Sequence, residues 1–112
     1  MPHCIIDYSE KLFEPNAVSE LLHHVFDAMA ISQLFDVKTI KVRARPFDYY
    51  LSATAHSSFI AVTIKILEGR TALEKQRLAT SVLDSILSSE LHCGSVSVEV
   101  MDIQAAGYVK VE

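Results

Sequence analysis

Apolar and polar positions change their spacing several times along this chain, and the changes mark out its elements. Cys4-Ile5-Ile6 is a short apolar run, read as a buried strand over residues 2–8. A loop from Ser9 to Asn16 leads to a helix start, with Asn16 as N-cap or Pro15 in the first turn. Val18, Leu21, Leu22, Val25, Phe26 and Met29 then recur at three-four spacing, one face of a helix ending near Ile31 or Ser32. Glu20, His23, His24 and Asp27 fall on its other side, and residues 33–37 form the turn that follows. Residues 38–45 alternate strictly: Ile40, Val42 and Ala44 face one way, Lys41, Arg43 and Arg45 the other. Pro46 is expected to break this second strand. Phe47, Tyr49 and Tyr50 form an aromatic patch before a Ser/Ala-rich turn through Ser58. Phe59–Leu67 is apolar nearly throughout, as in a central strand, and Glu68-Gly69-Arg70 is a turn. Thr71-Ala72-Leu73-Glu74 is a capping box opening a second helix. Its apolar face carries Ala79, Val82, Leu83, Ile86 and Leu87, and it runs to about Leu91. Ser95–Met101 is a fourth strand, and residues 103–112 are a tail with a short extended piece at Gly107–Val111.

The order strand-helix-strand therefore occurs twice. Each half predicts a βαβ unit with parallel strands and a right-handed crossover. The fold class that follows is α/β (α+β): two βαβ units forming one four-stranded mixed sheet with two helices on one face. That arrangement leaves the other sheet face uncovered, and an apolar uncovered face is expected to be buried in an oligomer.

Composition narrows the function classes. At 112 residues, half of them hydrophobic, residues 1–112 are read as a single domain with an ample core. A net charge of −4 argues against a general binder of nucleic acid or anionic membrane. There is no basic-then-apolar leader and no apolar run of membrane length. Cys4 and Cys93 make neither a disulfide framework nor a zinc spacing, so a reduced, cytoplasmic setting is expected. The five histidines show no ligand spacing, and no phosphate-loop, dinucleotide or nucleophile-elbow motif occurs. No metal and no organic cofactor is expected. Cys93 beside His92 is read as a buried or idle thiol.

Four features carry candidate chemistry. Removal of Met1 would leave Pro2 with a free secondary amine. An α-amino group titrates about one unit above neutrality. A hydrophobic or cation-rich pocket lowers that value towards the pH at which a general base works best. Taken alone, Pro2 reads as a starting residue of no special role, and only the rest of the chain can change that reading. Lys41, Arg43 and Arg45 form either the charge protection of an edge strand or a wall for carboxylates. Arg70 stands before a helix N-terminus, where a cation is unfavourable by a fraction of a kcal/mol unless it meets an anion. The alternatives are a solvated loop arginine or a partner for Glu68. Phe47, Tyr49 and Tyr50 either wall a pocket, in a neighbouring subunit for example, or pack in a core or interface.

Several of these residues belong together. Met-Pro-His, an apolar strand ending in Tyr-Ser, a long helix, an alternating cationic strand, and Lys-Ile-x-x-Gly-Arg before a second helix resemble the 5-carboxymethyl-2-hydroxymuconate isomerases of the tautomerase superfamily. The resemblance covers almost the whole chain. It implies the tautomerase-like sheet of two βαβ units, a homotrimer, and an active site near a subunit boundary. It implies that Pro2 is the catalytic base and that Arg70 and Lys41 stand at the two catalytic arginine positions. Lys41 departs from the family pattern: it keeps the charge but loses the bidentate fork. Arg43, on the same face, is the better substitute for that fork. The segment 46–57 also looks shorter than in that isomerase, and it helps to shape the pocket.

The function expected is a cofactor-independent isomerase that moves a proton in an unsaturated enol/keto carboxylate. Pro2 acts as base after Met1 is removed, with Arg70 and Lys41 as catalytic partners. Arg43, Arg45 and Tyr49 bind the substrate. The resemblance implies a muconate-type dicarboxylate from aromatic-acid catabolism. Two alternatives stand beside it: a keto–enol tautomerase of 2-oxo acids, which Lys41 and the short loop favour, and a non-catalytic trimeric binding protein of the same fold.

Overall fold

A computed structural model describes residues 2–9, 14–53, 58–91 and 93–111. The first strand, β1, spans His3–Ser9, and helix α1 spans Pro15–Ile31. A single 3-10 turn, Val37–Thr39, precedes β2 at Lys41–Phe47. Strand β3 is Phe59–Leu67, helix α2 is Ala72–Leu87 and strand β4 is Ser95–Ile103, followed by a 3-10 turn at Ala105–Gly107. The strands lie in the order β2-β1-β3-β4. Within each half the strands are parallel, β1 with β2 and β3 with β4, and the halves join through the antiparallel pair β1–β3. The expected mixed sheet of two βαβ units is therefore what forms. Among the described residues no helix is long and apolar enough to cross a membrane.

One face of the sheet carries the core. Cys4, Ile6, Ile60, Val62, Ile64 and Ile66 are buried there against Leu21, Val25 and Met29 of α1 and Leu78, Val82 and Ile86 of α2. Burying such a side chain contributes about 1.5–3 kcal/mol. That stripe holds α1 although its N-cap, Glu14, makes no side-chain cap bond, a loss of about 1 kcal/mol. Of the two expected starts, Pro15 in the first turn is the one that occurs; Asn16 lies inside the helix. The capping box of α2 forms in both directions: Glu74 N–H donates to Thr71 Oγ1 at 3.1 Å, and Thr71 N–H donates to Glu74 Oε1 at 2.9 Å.

Four expectations need correction. The stretch before Lys41 is a 3-10 turn because Asp36 accepts from Lys38 N–H and so draws the chain into a turn. Pro46 does not end β2, because β2 is an edge strand and a proline there leaves no ladder bond unmade. Helix α2 stops at Leu87 instead of Leu91: Ser89 Oγ donates to Ile86 O at 2.6 Å and accepts from Leu91 N–H, which turns the chain. Leu87 is exposed and Leu78 takes its place in the core. Finally, the uncovered sheet face is only partly apolar. It is mixed: Ile5, Phe47, Phe59, Ala61, Leu67, Met101 and Ile103 share it with charged and polar side chains, among them His3, Asp7, Lys41, Arg43, Arg45, Thr63, Lys65 and Glu99.

Candidate active site

The antiparallel join of the halves brings the start of β1, the start of β2 and the ends of β3 and β4 to one end of the sheet. Pro2 heads β1 and is fully buried, and its carbonyl accepts from Lys41 N–H at 3.3 Å. It shares strand parity with Cys4 and Ile6, the core side of the sheet. Met1 and His56 lie outside the described residues, as does His92.

Lys41, Arg43 and Arg45 share the open face, as their alternation requires. Register separates them. Lys41 stands opposite His3, Arg43 opposite Ile5 and Arg45 opposite Asp7. Arg45 thus lies about 13 Å along the strand from the level of His3. It donates from Nε to Asp7 Oδ1 at 2.6 Å and lies 5.7 Å over the Phe47 ring. That hydrogen bond and the Asp7 charge hold its pKa above the ordinary guanidinium value. Tyr49 is also at the far end and is 92% exposed, while Phe47 and Tyr50 pack on Phe59. Within one chain, then, Pro2, Lys41, Arg43 and Arg70 belong to one end of the sheet, and Arg45 and Tyr49 do not.

Arg70 follows Gly69, whose φ of +120° is open to glycine and strained for other residues. Its Nη2 donates to Leu34 O at 2.7 Å, its Nη1 reaches Leu67 O at 3.5 Å, and its guanidinium stacks over Phe35 at 5.3 Å. The arginine therefore ties the turn after α1 to the turn after β3, with three of its five N–H donors left for a ligand.

Three participants escaped the sequence reading. His3 Nε2 and the Tyr108 hydroxyl share a hydrogen bond of 2.9 Å, with the rings edge-on at 6.1 Å. Burial, then the positive charges of Arg43, Lys41 and Lys65, lower the His3 pKa below 6.5. Lys65, opposite His3 on β3, was visible as the one charge in an apolar strand. Tyr108 sits in the tail, where no periodicity marks it. A cleft of about 490 Å³ between α1 and the β2 edge includes Lys41, Leu22, Phe26 and Ile40. Among the described residues no three His, Cys, Asp or Glu side chains gather to hold a metal. Cys4 is buried and its thiol is pushed up to about 12 by desolvation, which makes it inert.

A four-stranded mixed sheet of two βαβ units with two helices is the arrangement found in tautomerase-fold proteins. The chain belongs to the 5-carboxymethyl-2-hydroxymuconate isomerase family, whose model matches residues 2–110, and is thus an isomerase. Its fold is similar to a solved 5-carboxymethyl-2-hydroxymuconate isomerase from Deinococcus radiodurans R1, at 24% identity and TM-score 0.80, over 98% of this chain and 88% of that one. A 5-carboxymethyl-2-hydroxymuconate delta-isomerase superposes with TM-score 0.77 at 19% identity, over 100% and 87%. A fused 4-OT described as a symmetric trimer does so with TM-score 0.77 at 19%, over 91% and 85%. No curated protein sequence matches the chain.

Proposed function

We propose that the protein moves a proton along a conjugated enol–keto carboxylate of the 5-carboxymethyl-2-hydroxymuconate type, with Pro2 as general base. The observation that carries this reading is the burial of Pro2 at the head of β1, on the same sheet end as Lys41, Arg43 and Arg70. With Met1 attached, the Pro2 nitrogen is a tertiary amide without a basic lone pair. With Met1 removed it is an amine whose charged form is disfavoured by burial and by nearby cations. Such an amine takes a proton from a dienol hydroxyl or an allylic carbon and returns it elsewhere on the conjugated system. Arg70 and Lys41 stabilise the enolate charge, and Arg43 supplies the bidentate fork that Lys41 lacks. Neither metal nor organic cofactor enters the cycle. Arg45 and Tyr49 join the pocket from a neighbouring copy in a homotrimer, which we place in the cytoplasm, in aromatic-acid catabolism.

The test has two parts. Mass spectrometry of the purified protein is expected to find Met1 removed. Kinetics on dienol dicarboxylates and on phenylpyruvate are then compared for the parent, Pro2→Ala and Arg70→Ala. Loss of general-base action is worth about 10²–10⁴ in rate, so Pro2→Ala as active as the parent would sink the base assignment. Lysine at position 41 favours a second reading, a keto–enol tautomerase of 2-oxo acids. A kcat/KM higher on phenylpyruvate than on any dienol dicarboxylate selects it. Processed protein inactive on both classes selects the non-catalytic binding protein.

A further inference from the structure

Residues 32–35 follow α1 and belong to no strand. Gln33 takes φ +61°, the left-handed region that a side chain enters at a cost, and it is the one described residue other than glycine to do so. Gln33 is exposed, so this strained turn acts on the backbone beside it more than on its own side chain. Ser32 ties the turn: its Oγ donates to Met29 O at 2.6 Å and accepts from Leu34 N–H at 3.3 Å. Met29 is fully buried, and Leu34 and Phe35 pack on the same core. The Leu34 carbonyl accepts from Arg70 Nη2 at 2.7 Å, and the Phe35 ring lies 5.3 Å from the Arg70 guanidinium carbon. Hydrogen bonds thus run from the buried end of α1 to the tip of a side chain 36 positions further on, in the other βαβ unit.

A free arginine side chain has many rotamers, and a ligand that binds it must remove that freedom. Here a carbonyl in the guanidinium plane and a ring against its face remove it beforehand. Both come from the first βαβ unit; the chain next to Arg70 adds only the Leu67 O contact at 3.5 Å. The charge is held without being cancelled. Arg45 has its carboxylate in Asp7 and Lys75 has Asp102, but Arg70 forms no ion pair among the described residues. We propose that Ser32 and Phe35, with the Leu34 carbonyl between them, are positioning residues for Arg70. The turn after α1 presets the guanidinium, so that the contact with developing enolate charge needs no reorganisation at the moment of reaction. Ser32 and Phe35 act through Arg70 and not on the substrate. The catalytic half of this inference rests on the reading of Arg70 as a substrate contact; the holding of the guanidinium does not.

The holding is read by NMR on the isotope-labelled protein as purified, with the Arg70 signal assigned by its absence from Arg70→Lys. In the parent, the Phe35 ring is expected to displace the Arg70 Nε–H signal, and slow rotation to resolve the Nη protons. Phe35→Leu is expected to remove the displacement and average those protons. The consequence is read by kinetics on phenylpyruvate or a dienol dicarboxylate, whichever the parent turns over faster, with each variant fully folded by urea unfolding. Immobilising such a side chain is worth roughly two- to tenfold, so Phe35→Leu should lower kcat/KM by about that factor. Ser32→Ala should act in the same direction, and Phe35→Tyr, which keeps the ring, should restore the parent value. In an Arg70→Ala background Phe35→Leu should change nothing further, whereas damage to the fold alone would multiply in both backgrounds. An Arg70 signal in the parent like that of free arginine, or an equal loss from Phe35→Leu with and without Arg70, overturns the proposal. Arg70→Ala as active as the parent overturns it from the other side, by removing the substrate contact while the guanidinium signal stays held, so the two failures are read apart.

Discussion

Replacing Arg70 by alanine separates two roles that the structure gives to one side chain. Its Nη2 bond to Leu34 O, at 2.7 Å, has a charged donor and is worth about 1.5–3 kcal/mol. The stack on Phe35 at 5.3 Å adds about 0.5–1 kcal/mol. The 3.5 Å contact with Leu67 O is at the limit of a hydrogen bond and is left out. Arg70 is only half-buried, so solvent screening puts the sum near its lower end, about 2 kcal/mol. For a chain of this length about 2 kcal/mol lowers Tm by roughly 8 °C. We expect urea unfolding followed by circular dichroism to show that loss for Arg70→Ala. Arg70→Lys should recover less than half, because lysine keeps the charge without the planar fork. Activity is then measured where each variant is fully folded. If Arg70→Ala unfolds within about 0.5 kcal/mol of the parent, the tie between the α1 and β3 turns carries no stability. Any lost activity would then belong to the guanidinium's contact with substrate alone.

Three further outcomes follow from the same geometry. His3 titrates below 6.5 in the fold, so the unfolded chain binds its proton first as pH falls. Stability from this group is therefore complete above 6.5 and declines below it, and His3→Gln should flatten that part of a stability–pH curve. Thr71→Ala removes one half of the α2 capping box and should cost about 1 kcal/mol in urea unfolding. Glu74 is held below 4.5 by its bonds to Thr71, so the parent should lose part of that cap as pH falls under 4.5, and the variant should lose less. Cys4, buried with its thiol near 12, should resist Ellman's reagent until the protein unfolds. Labelling of Cys4 at the rate of a free thiol would show that β1 opens.

The fold was legible because its elements differ in period. Phe59–Leu67 is apolar nearly throughout and lies centrally, and the capping box at Thr71 marks the start of α2 within a residue. Boundaries failed where short-range hydrogen bonds outweighed pattern, as with Asp36 before β2 and Ser89 after α2. The site was half legible. Alternation put Lys41, Arg43 and Arg45 on one face, but register, which separates Arg45 from the others, depends on how β1 and β2 pair and is not written in either strand. For the same reason His3 passed as one of several scattered histidines. Its meaning comes from Lys41 on one side and Lys65 on the other, residues 38 and 62 positions away in the chain.

That placement also makes the Pro2 reading measurable before any substrate is found. His3 is the next residue along β1, and the fields of Arg43, Lys41 and Lys65 that disfavour its imidazolium fall off slowly over one residue spacing. The same field disfavours a protonated amine at Pro2, and the burial of Pro2 adds desolvation in the same direction. The two groups are therefore depressed together or not at all by the cations. A His3 that titrates at its ordinary value in processed, folded protein would leave Pro2 with burial alone to lower its pKa. A His3 depressed in the parent and less so in Lys65→Met would show the cationic row contributing to the field at the head of β1, beside the burial that is the larger cause. In that case the charges on the open face act on Pro2 through space, although strand parity keeps them on the other side of the sheet.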